Sequence, residues 1–303
     1  MAIRKAVIPV AGLGTRLLPA TKEQPKEMLP VFRRRASGQY FIEPMVQLVF
    51  EQVFDIGIRD FCFVIGRGKR AIQDHFTQDY GFTKRLREKQ KTDSAIELEN
   101  FYRRLDSSSI SWINQPDPKG FGDAVLRTAP WVGEQDFVVH AGDAYVISRE
   151  NKHLERLMSA FYANEACGAF FVKKTDRPHA KGVVKVVSIG EGLYEVRTAV
   201  EKPTRTRSNL AIEPVYVFRP TIFQCLRSTR PGIGNEIQLT DAIQRLINLG
   251  ERVIAVELKP NEVRLDVGDP DSYAEALAFS YDHASRGPNA FLASTLRSHR
   301  KIH

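Results

Sequence analysis

Residues 10–30, VAGLGTRLLPATKEQPKEMLP, gather groups suited to handling phosphate. Gly12 and Gly14 have no Cβ, so backbone N–H groups there can approach a phosphate or a base closely. Arg16 and Lys26 can bring two cations to a polyphosphate. That combination suits phosphoryl or nucleotidyl transfer, where catalysis is mostly positioning and charge neutralisation. A dinucleotide-binding loop is excluded by the chain itself. Its G-x-G-x-x-G must open a helix directly, and Leu17 stands at the third glycine. Pro19, Pro25 and Pro30 then follow, each costing ~3 kcal/mol inside a helix. The arginines at 33–35 therefore lack the unit that would place them on a 2′-phosphate. The Lys-Ser/Thr of a P-loop is also missing. What remains is a strand followed by a long, stiff, extended loop.

Elements of alternating type must hold this loop. The apolar runs at 5–10, 60–66, 110–114, 136–140 and 167–174 read as strands. Helical patterns lie between them at 43–57, 69–76, 121–129 and 151–164, with one or two surface helices over 82–106. Pro44 is expected at N1 of the 43–57 helix and Gly57 as its stop. Strand–helix alternation marks an α/β fold, a mixed, mostly parallel Rossmann-like sheet covered on both faces. Beyond residue 180 strand-like runs dominate, predicting antiparallel pieces added to that sheet. Helices are expected over 236–250, opened by Gly234 or Asn235, and over 270–284. The chain reads as one domain over 1–285 with a mobile basic tail at 286–303.

Composition narrows the class. The 303 residues are 43% hydrophobic and 26% charged, ordinary for a soluble globular chain and ample for a large core. No apolar stretch approaches the ~20 residues of a membrane span, and no signal-peptide core is present. Cys62, Cys167 and Cys225 lie far apart, which argues against a disulfide framework and fits a reducing cytoplasm. The net charge of +8 suits an anionic small substrate or nucleic acid. Its clusters, RRR at 33–35 and GRGKR at 66–70 among them, read as solvated surface. No nucleic-acid-binding motif is recognisable.

Further along, QPDPKGFGDAV at 115–125 is a Pro/Gly loop leading into a helix. HAGDAYV at 140–146 puts Asp143 at the C-terminal end of a strand, where open α/β sheets bind ligands. A carboxylate there suits Mg²⁺, which takes one or two carboxylates plus phosphate oxygens. VRLDVGDP at 263–270 supplies Asp266 as a second carboxylate and Asp269 as a helix cap.

AGLGTRLLPATK with PKEMLP resembles the signature of the sugar-1-phosphate nucleotidyltransferases. Glu27 after the lysine resembles the branch using UTP and glucose 1-phosphate; the thymidylyltransferases usually carry Gln there. The resemblance extends over about residues 3–285 and implies the nucleotidyltransferase fold, with a nucleotide-binding part near 1–175 and a sugar-binding part near 176–268. It implies Mg²⁺-dependent transfer of UMP from UTP to glucose 1-phosphate, giving UDP-glucose and pyrophosphate. Arg16, Lys26 and Lys202 would be catalytic. Ala11, Gly12, Gly14, Thr15, Glu27, Gln115 and Gly120 would contact the nucleotide, with the Gln115 amide reading the imide edge of uracil. Gly182, Glu201 and Asn209 would hold the sugar, and Asp143 and Asp266 the metal. GNEIQLTDAI at 234–243 matches the family as a structural segment.

This chain departs from the family's pattern at 32–43, within VFRRRASGQYFIEP (31–44), which is longer and basic, and at Lys181, where Tyr is frequent. The alternatives are dTTP or another sugar 1-phosphate, and more remotely a non-catalytic regulatory or nucleic-acid-binding protein on this fold. Homo-oligomers are common in the family.

Overall fold

The computed structural model of the chain describes residues 3–35 and 38–286. The first apolar run is β1 (Lys5–Pro9), followed by 3-10 turns at Thr15–Leu17 and Lys26–Met28. Next come β2 (Pro30–Arg34), β3 (Tyr40–Pro44), α1 (Met45–Asp55), β4 (Asp60–Ile65) and α2 (Arg70–His75). They lead to α3 (Tyr80–Glu88), α4 (Thr92–Asp106), β5 (Ser109–Asn114), α5 (Phe121–Arg127), α6 (Ala129–Val132) and β6 (Phe137–His140). Then follow β7 (Ala144–Ile147), α7 (Lys152–Ala163), β8 (Gly168–Lys174), β9 (Val183–Gly190), β10 (Leu193–Val200) and β11 (Leu210–Phe218). The last described elements are α8 (Thr221–Ser228), α9 (Leu239–Asn248), β12 (Val253–Glu257), β13 (Val263–Asp266) and α10 (Pro270–Arg286).

Nine strands form one sheet in the order β5-β4-β1-β6-β11-β8-β12-β10-β9. The strands β5, β4, β1 and β6 are parallel neighbours, whereas β11, β10 and β9 make the antiparallel pairings of the second half. Alternating side chains on the buried strands serve two opposite faces. Ala6 and Ile8 of β1, with Phe61 and Phe63 of β4, pack under α1, α4 and α7. Val7 of β1, with Cys62 and Val64 of β4, packs under α5, α8 and α9. Apolar residues on both sides of each strand are what a double-faced sheet demands. This is the mixed, mostly parallel α/β sheet that the strand–helix alternation predicts. No helix among the described residues is long and apolar enough to cross a membrane.

A third, smaller core decides where the phosphate loop lies. Leu17 and Leu29, near its two ends, join Val31, Met45, Leu265, Val267 and Ala276 in one buried cluster. The loop is thereby pinned between α1, the β13 strand and α10.

Four expectations change. The 43–57 helix begins at Met45 because Met45 N–H is spent on Leu29 O (3.1 Å) and Pro44 still belongs to β3. The loop after β1 is not extended throughout, since 3-10 turns occupy Thr15–Leu17 and Lys26–Met28, and it does not continue past Pro30: β2 and β3 pair antiparallel, Pro30 opposite Pro44. The 236–250 helix begins only at Leu239, and a 3-10 turn occupies Ile233–Asn235. Ile237 is held out of the helix because its N–H bonds Lys119 O (2.8 Å) and its carbonyl accepts from Gly122 N–H (2.9 Å). The RRR cluster is not solvated surface, since the side chains of Arg33 and Arg35 are 21% and 14% exposed and paired with buried carboxylates. Of the basic tail, only Arg286 falls within the described residues.

Candidate active site

The parallel strands β1, β4, β5 and β6 all end at one edge of the sheet, so the segments after them share one rim. This is where open α/β sheets collect ligands. Val10 N–H bonds Val64 O (2.8 Å) and Gln115 N–H bonds Ile65 O (2.7 Å), tying three of these segments together.

The glycine loop leaves β1 along this rim. Gly14 has φ +66°, and its carbonyl accepts from Thr21 Oγ1 at 2.8 Å. A Cβ at Gly12 would stand 3.6 Å from Lys26 Cε, so the lysine stem passes over that glycine. Lys26 reaches Asp143 and forms a tight ion pair with it. Burial works against the ammonium, but Asp143, Glu27 and Asp266 outweigh it, and the Lys26 pKa is raised. Burial also opposes the Asp143 carboxylate, yet Lys26 and then Arg264 hold its pKa below the usual range. Both partners therefore stay charged at neutral pH.

Asp143 and Asp266 come together because β7 and β13 pair antiparallel, with Ala144 opposite Asp266. Val267 N–H also bonds Asp143 O at 3.1 Å. Arg264 Nη2 donates to Asp266 Oδ2 at 2.6 Å. A Cβ at Gly268 would lie 3.0 Å from Asp266 Oδ1 and 3.3 Å from Arg16 Nη2, so both groups crowd the same glycine. Arg16 itself stands out from the 3-10 turn with 69% of its side chain exposed, 3.4 Å from Asp269. Asp269 caps α10 by accepting from Ser272 N–H at 2.9 Å. Arg16, Lys26, Asp143 and Asp266 thus converge. Two hard carboxylate donors beside two cations fit a divalent ion completed by substrate phosphate oxygens, not a protein cage. Indeed no group of three or more His, Cys, Asp or Glu able to hold a metal occurs among the described residues.

Glu27 goes elsewhere. It is 2% exposed and bonds Lys69 at 2.9 Å beneath the loop. Burial pushes its carboxyl pKa up, with Lys69 and Lys26 holding part of that rise back. Its place is under Lys26, not on the open rim. Lys69, from the GRGKR cluster, is accordingly buried. Gly66 in the same cluster makes room for Ala11, whose carbonyl would be 3.0 Å from a Cβ there.

On the base side, Gln115 is buried and its amide nitrogen donates to Asp123 Oδ2 (2.7 Å) and Gly120 O (3.1 Å). The donor half is used within the chain, which leaves the carbonyl oxygen as the acceptor to offer. Gly120, at φ +99°, permits a close approach, but to the chain itself: a Cβ would sit 2.7 Å from Glu236 Cβ. Segment 236–237 is therefore the prop of this loop. Ala11 is buried, while Gly12 and Thr15 are exposed along the rim.

On the sugar side, Thr240 Oγ1 donates to Glu201 Oε2 at 2.7 Å, and a Cβ at Gly182 would fall 2.9 Å from that same oxygen. Only a glycine lets the backbone lie against this carboxylate. Lys202 has φ +40°, is 43% exposed, and keeps Nζ 3.7 Å from Glu201 Oε1. Its N–H bonds Lys181 O at 3.1 Å. Asn209 is exposed, and its carbonyl accepts from Thr175 N–H at 2.9 Å.

Sequence reasoning missed Arg264, Glu213, Thr240 and Asp123, and misread Lys69. Two of these carried a signal. Arg264 lies two residues before Asp266 on a strand, hence on the same face. Glu213 is an acid inside the apolar run LAIEPVYVF, where an unpaired charge would be costly.

Comparison with known proteins identifies the family. The nucleotidyl transferase family model matches residues 5–283. A UTP–glucose-1-phosphate uridylyltransferase of Streptococcus pneumoniae serotype 4 is 39% identical, over 94% of this chain and 92% of its own. One from Pseudomonas aeruginosa is 36% identical, over 95% of this chain and 100% of its own. A solved UDP-glucose pyrophosphorylase in complex with UDP-glucose superposes with a TM-score of 0.80 at 30% identity, covering 93% of this chain and 99% of that one. A glycine loop with two cations, two carboxylates on one ribbon, and matches over nearly all of both chains lead to one assignment. The chain belongs to the nucleotidyl transferase family, among relatives that are UTP–glucose-1-phosphate uridylyltransferases.

Proposed function

We propose that this chain transfers UMP from UTP to glucose 1-phosphate, releasing UDP-glucose and pyrophosphate. The observation that carries the reading is the convergence of Arg16, Lys26, Asp143 and Asp266 on the rim that also bears Gln115. An oxygen of the sugar phosphate attacks the α-phosphorus in line, and pyrophosphate leaves as the P–O bond breaks. The attacking group is already an anion, so no protein nucleophile is required. Lys26 neutralises the α-phosphate, exchanging part of its bond to Asp143 for phosphate oxygens. Arg16, exposed and weakly held, neutralises the leaving pyrophosphate. Lys202 holds the attacking phosphate, and Glu201, oriented by Thr240, accepts from sugar hydroxyls. The nucleotide part spans about 1–175 and the sugar part about 176–268.

Asp143 and Asp266 are the residues that would hold Mg²⁺, which when bound supplies charge neutralisation to the phosphate oxygens. The Gln115 carbonyl oxygen can accept a hydrogen bond from an imide N3–H, which uracil has and cytosine lacks. This supports a uridine or thymidine base. Asn209 at the sugar margin and assembly as a cytoplasmic homo-oligomer complete the reading.

The test crosses four NTPs with several sugar 1-phosphates and follows pyrophosphate release with and without Mg²⁺. UTP with glucose 1-phosphate should give the highest kcat/KM by at least about tenfold, which is ~1.4 kcal/mol of discrimination. A higher kcat/KM with dTTP or with another sugar phosphate overturns the substrate assignment.

A further inference from the structure

The sugar loop and the metal carboxylate are joined by a buried acid that none of the motifs above contains. Glu213 lies on β11 and is 2% exposed. The β11–β8 register slips between Glu213 and Tyr216, and such irregularities re-aim side chains. Pro214 O, in the same irregularity, accepts from Ala141 N–H at 3.0 Å, docking it two residues before Asp143. From there Glu213 Oε2 lies 3.1 Å from Arg264 Nε and Oε1 lies 3.5 Å from Lys181 Nζ. Arg264 in turn holds Asp266, and Lys181 precedes Gly182 and accepts the Lys202 N–H. Charges alternate along this chain: Lys181, Glu213, Arg264, Asp266.

We propose that Glu213 is a positioning residue that sets the Asp266 carboxylate and the sugar loop together, through Arg264 and Lys181. The proposal rests on the reaction given above. Its physical basis is competition. Arg264 touches Glu213 and Asp266 and also feels Asp143, so Glu213 shares its charge and leaves Asp266 able to take a second cation. With Glu213 neutral, Arg264 is left to Asp266 and the nearby Asp143 and opposes a divalent ion there. Lys181 simultaneously loses its anchor, and the segment carrying Gly182 and supporting Lys202 loosens. Lys181 therefore acts here as a strut for the loop, its charge met by a buried acid.

Glu213→Gln keeps the shape and removes the charge. At saturating divalent cation, KM for glucose 1-phosphate should rise about tenfold while KM for UTP stays within about twofold. Mn²⁺ binding with UTP present, followed by electron paramagnetic resonance, should weaken about tenfold. In the ligand-free protein, hydrogen exchange should quicken together at the amides of Lys202 and Val267. Lys181→Met leaves the Arg264 contact intact. It should raise KM for glucose 1-phosphate and quicken exchange at Lys202 alone, with Mn²⁺ affinity unchanged. Should Glu213→Gln fail to fold, Lys181→Met still decides the sugar-side half. The proposal is overturned if Glu213→Gln lowers only Tm, if both KM values move equally, or if Lys181→Met leaves Lys202 exchange and glucose 1-phosphate KM at wild-type values. A wild-type protein that makes no UDP-glucose would defeat the assigned activity instead, and the exchange data would still judge the positioning.

Discussion

Two charged constellations in this molecule look alike in the sequence and are opposite in structure. One lies between the β2–β3 pair and helices α1 and α4. There Glu51, with a side chain 1% exposed, meets Arg33, Arg35 (3.0 Å) and Arg104 (2.8 Å) and accepts from Gln47 (3.0 Å). Arg35 also bonds Glu43 and Glu97, and Arg104 bonds Asp55 at 3.1 Å. The other is the rim, where Arg16 and Lys202 are 69% and 43% exposed, and their ion-pair partners stand 3.4 and 3.7 Å away. In the first, every cation is paired with carboxylates within the fold, so the cluster serves to hold elements together. In the second, Arg16 and Lys202 are aimed but only loosely paired, a state suited to receiving phosphates, while Lys26 rests on Asp143. Exposure and loose pairing thus set Arg16 and Lys202 apart from the arginines of the closed cluster.

The contrast can be broken from either side. The largest effect is expected on the rim: Lys26→Ala or Asp143→Ala should lower kcat about 10³-fold, as measured by steady-state UDP-glucose formation. Near-normal turnover in both would remove the phosphate loop from the mechanism. Inside the closed cluster, Glu51→Ala leaves three arginines short of a carboxylate and should cost ~3–5 kcal/mol in urea unfolding, with kcat of the folded fraction kept. An equally large fall in kcat would mean that the cluster takes part in the reaction. Arg16→Ala should lower kcat about 10²-fold, with Tm unchanged because the side chain is exposed and weakly paired.

The smallest effect is a pH dependence confined to the closed cluster. Burial and then the neighbouring Glu51 raise the Glu43 pKa to about 7. Burial opposes the Glu51 carboxylate too, but Arg33, Arg35 and Arg104 hold its pKa down at about 2. Glu43 takes up its proton more readily folded than unfolded, so its stabilising contribution is lost as pH rises from about 4.5 towards 7. Glu51 behaves in the opposite sense, losing its contribution as pH falls from about 4.5 towards 2. Glu43→Gln should flatten the Tm profile between pH 4.5 and 7 and leave the acid limb in place. An unchanged slope above pH 4.5 would mean that Glu43 ionises normally.

Much of the architecture was legible because it is local. Runs such as KAVIPV and DFCFVI have strand length and apolar residues on both faces, and DSYAEALAF has helical spacing after a proline. The phosphate loop was legible for the same reason, since its prolines exclude a helix whatever the rest of the chain does. The ends of elements were less so. Ile237 belongs to a helical pattern in the sequence, yet the 119–122 backbone claims both of its polar groups. The β2–β3 pair was hidden because arginines on a strand resemble a solvated loop until buried acids meet them. Lys69 was misread as a surface or phosphate cation for a like reason: its partner Glu27 is 42 residues away.

By itself, then, the sequence determined an α/β sheet, a phosphate loop without a continuous α-helix, and the set of cations and carboxylates available to a nucleotidyl transfer. Only the tertiary structure decided which of those charges face substrate. Lys26 finds Asp143 across 117 residues, and Glu213, beside the irregular stretch of β11, meets Arg264 of the β13 strand. Such pairings depend on strand register and on burial, which govern whether a charge is answered within the protein or left for a ligand.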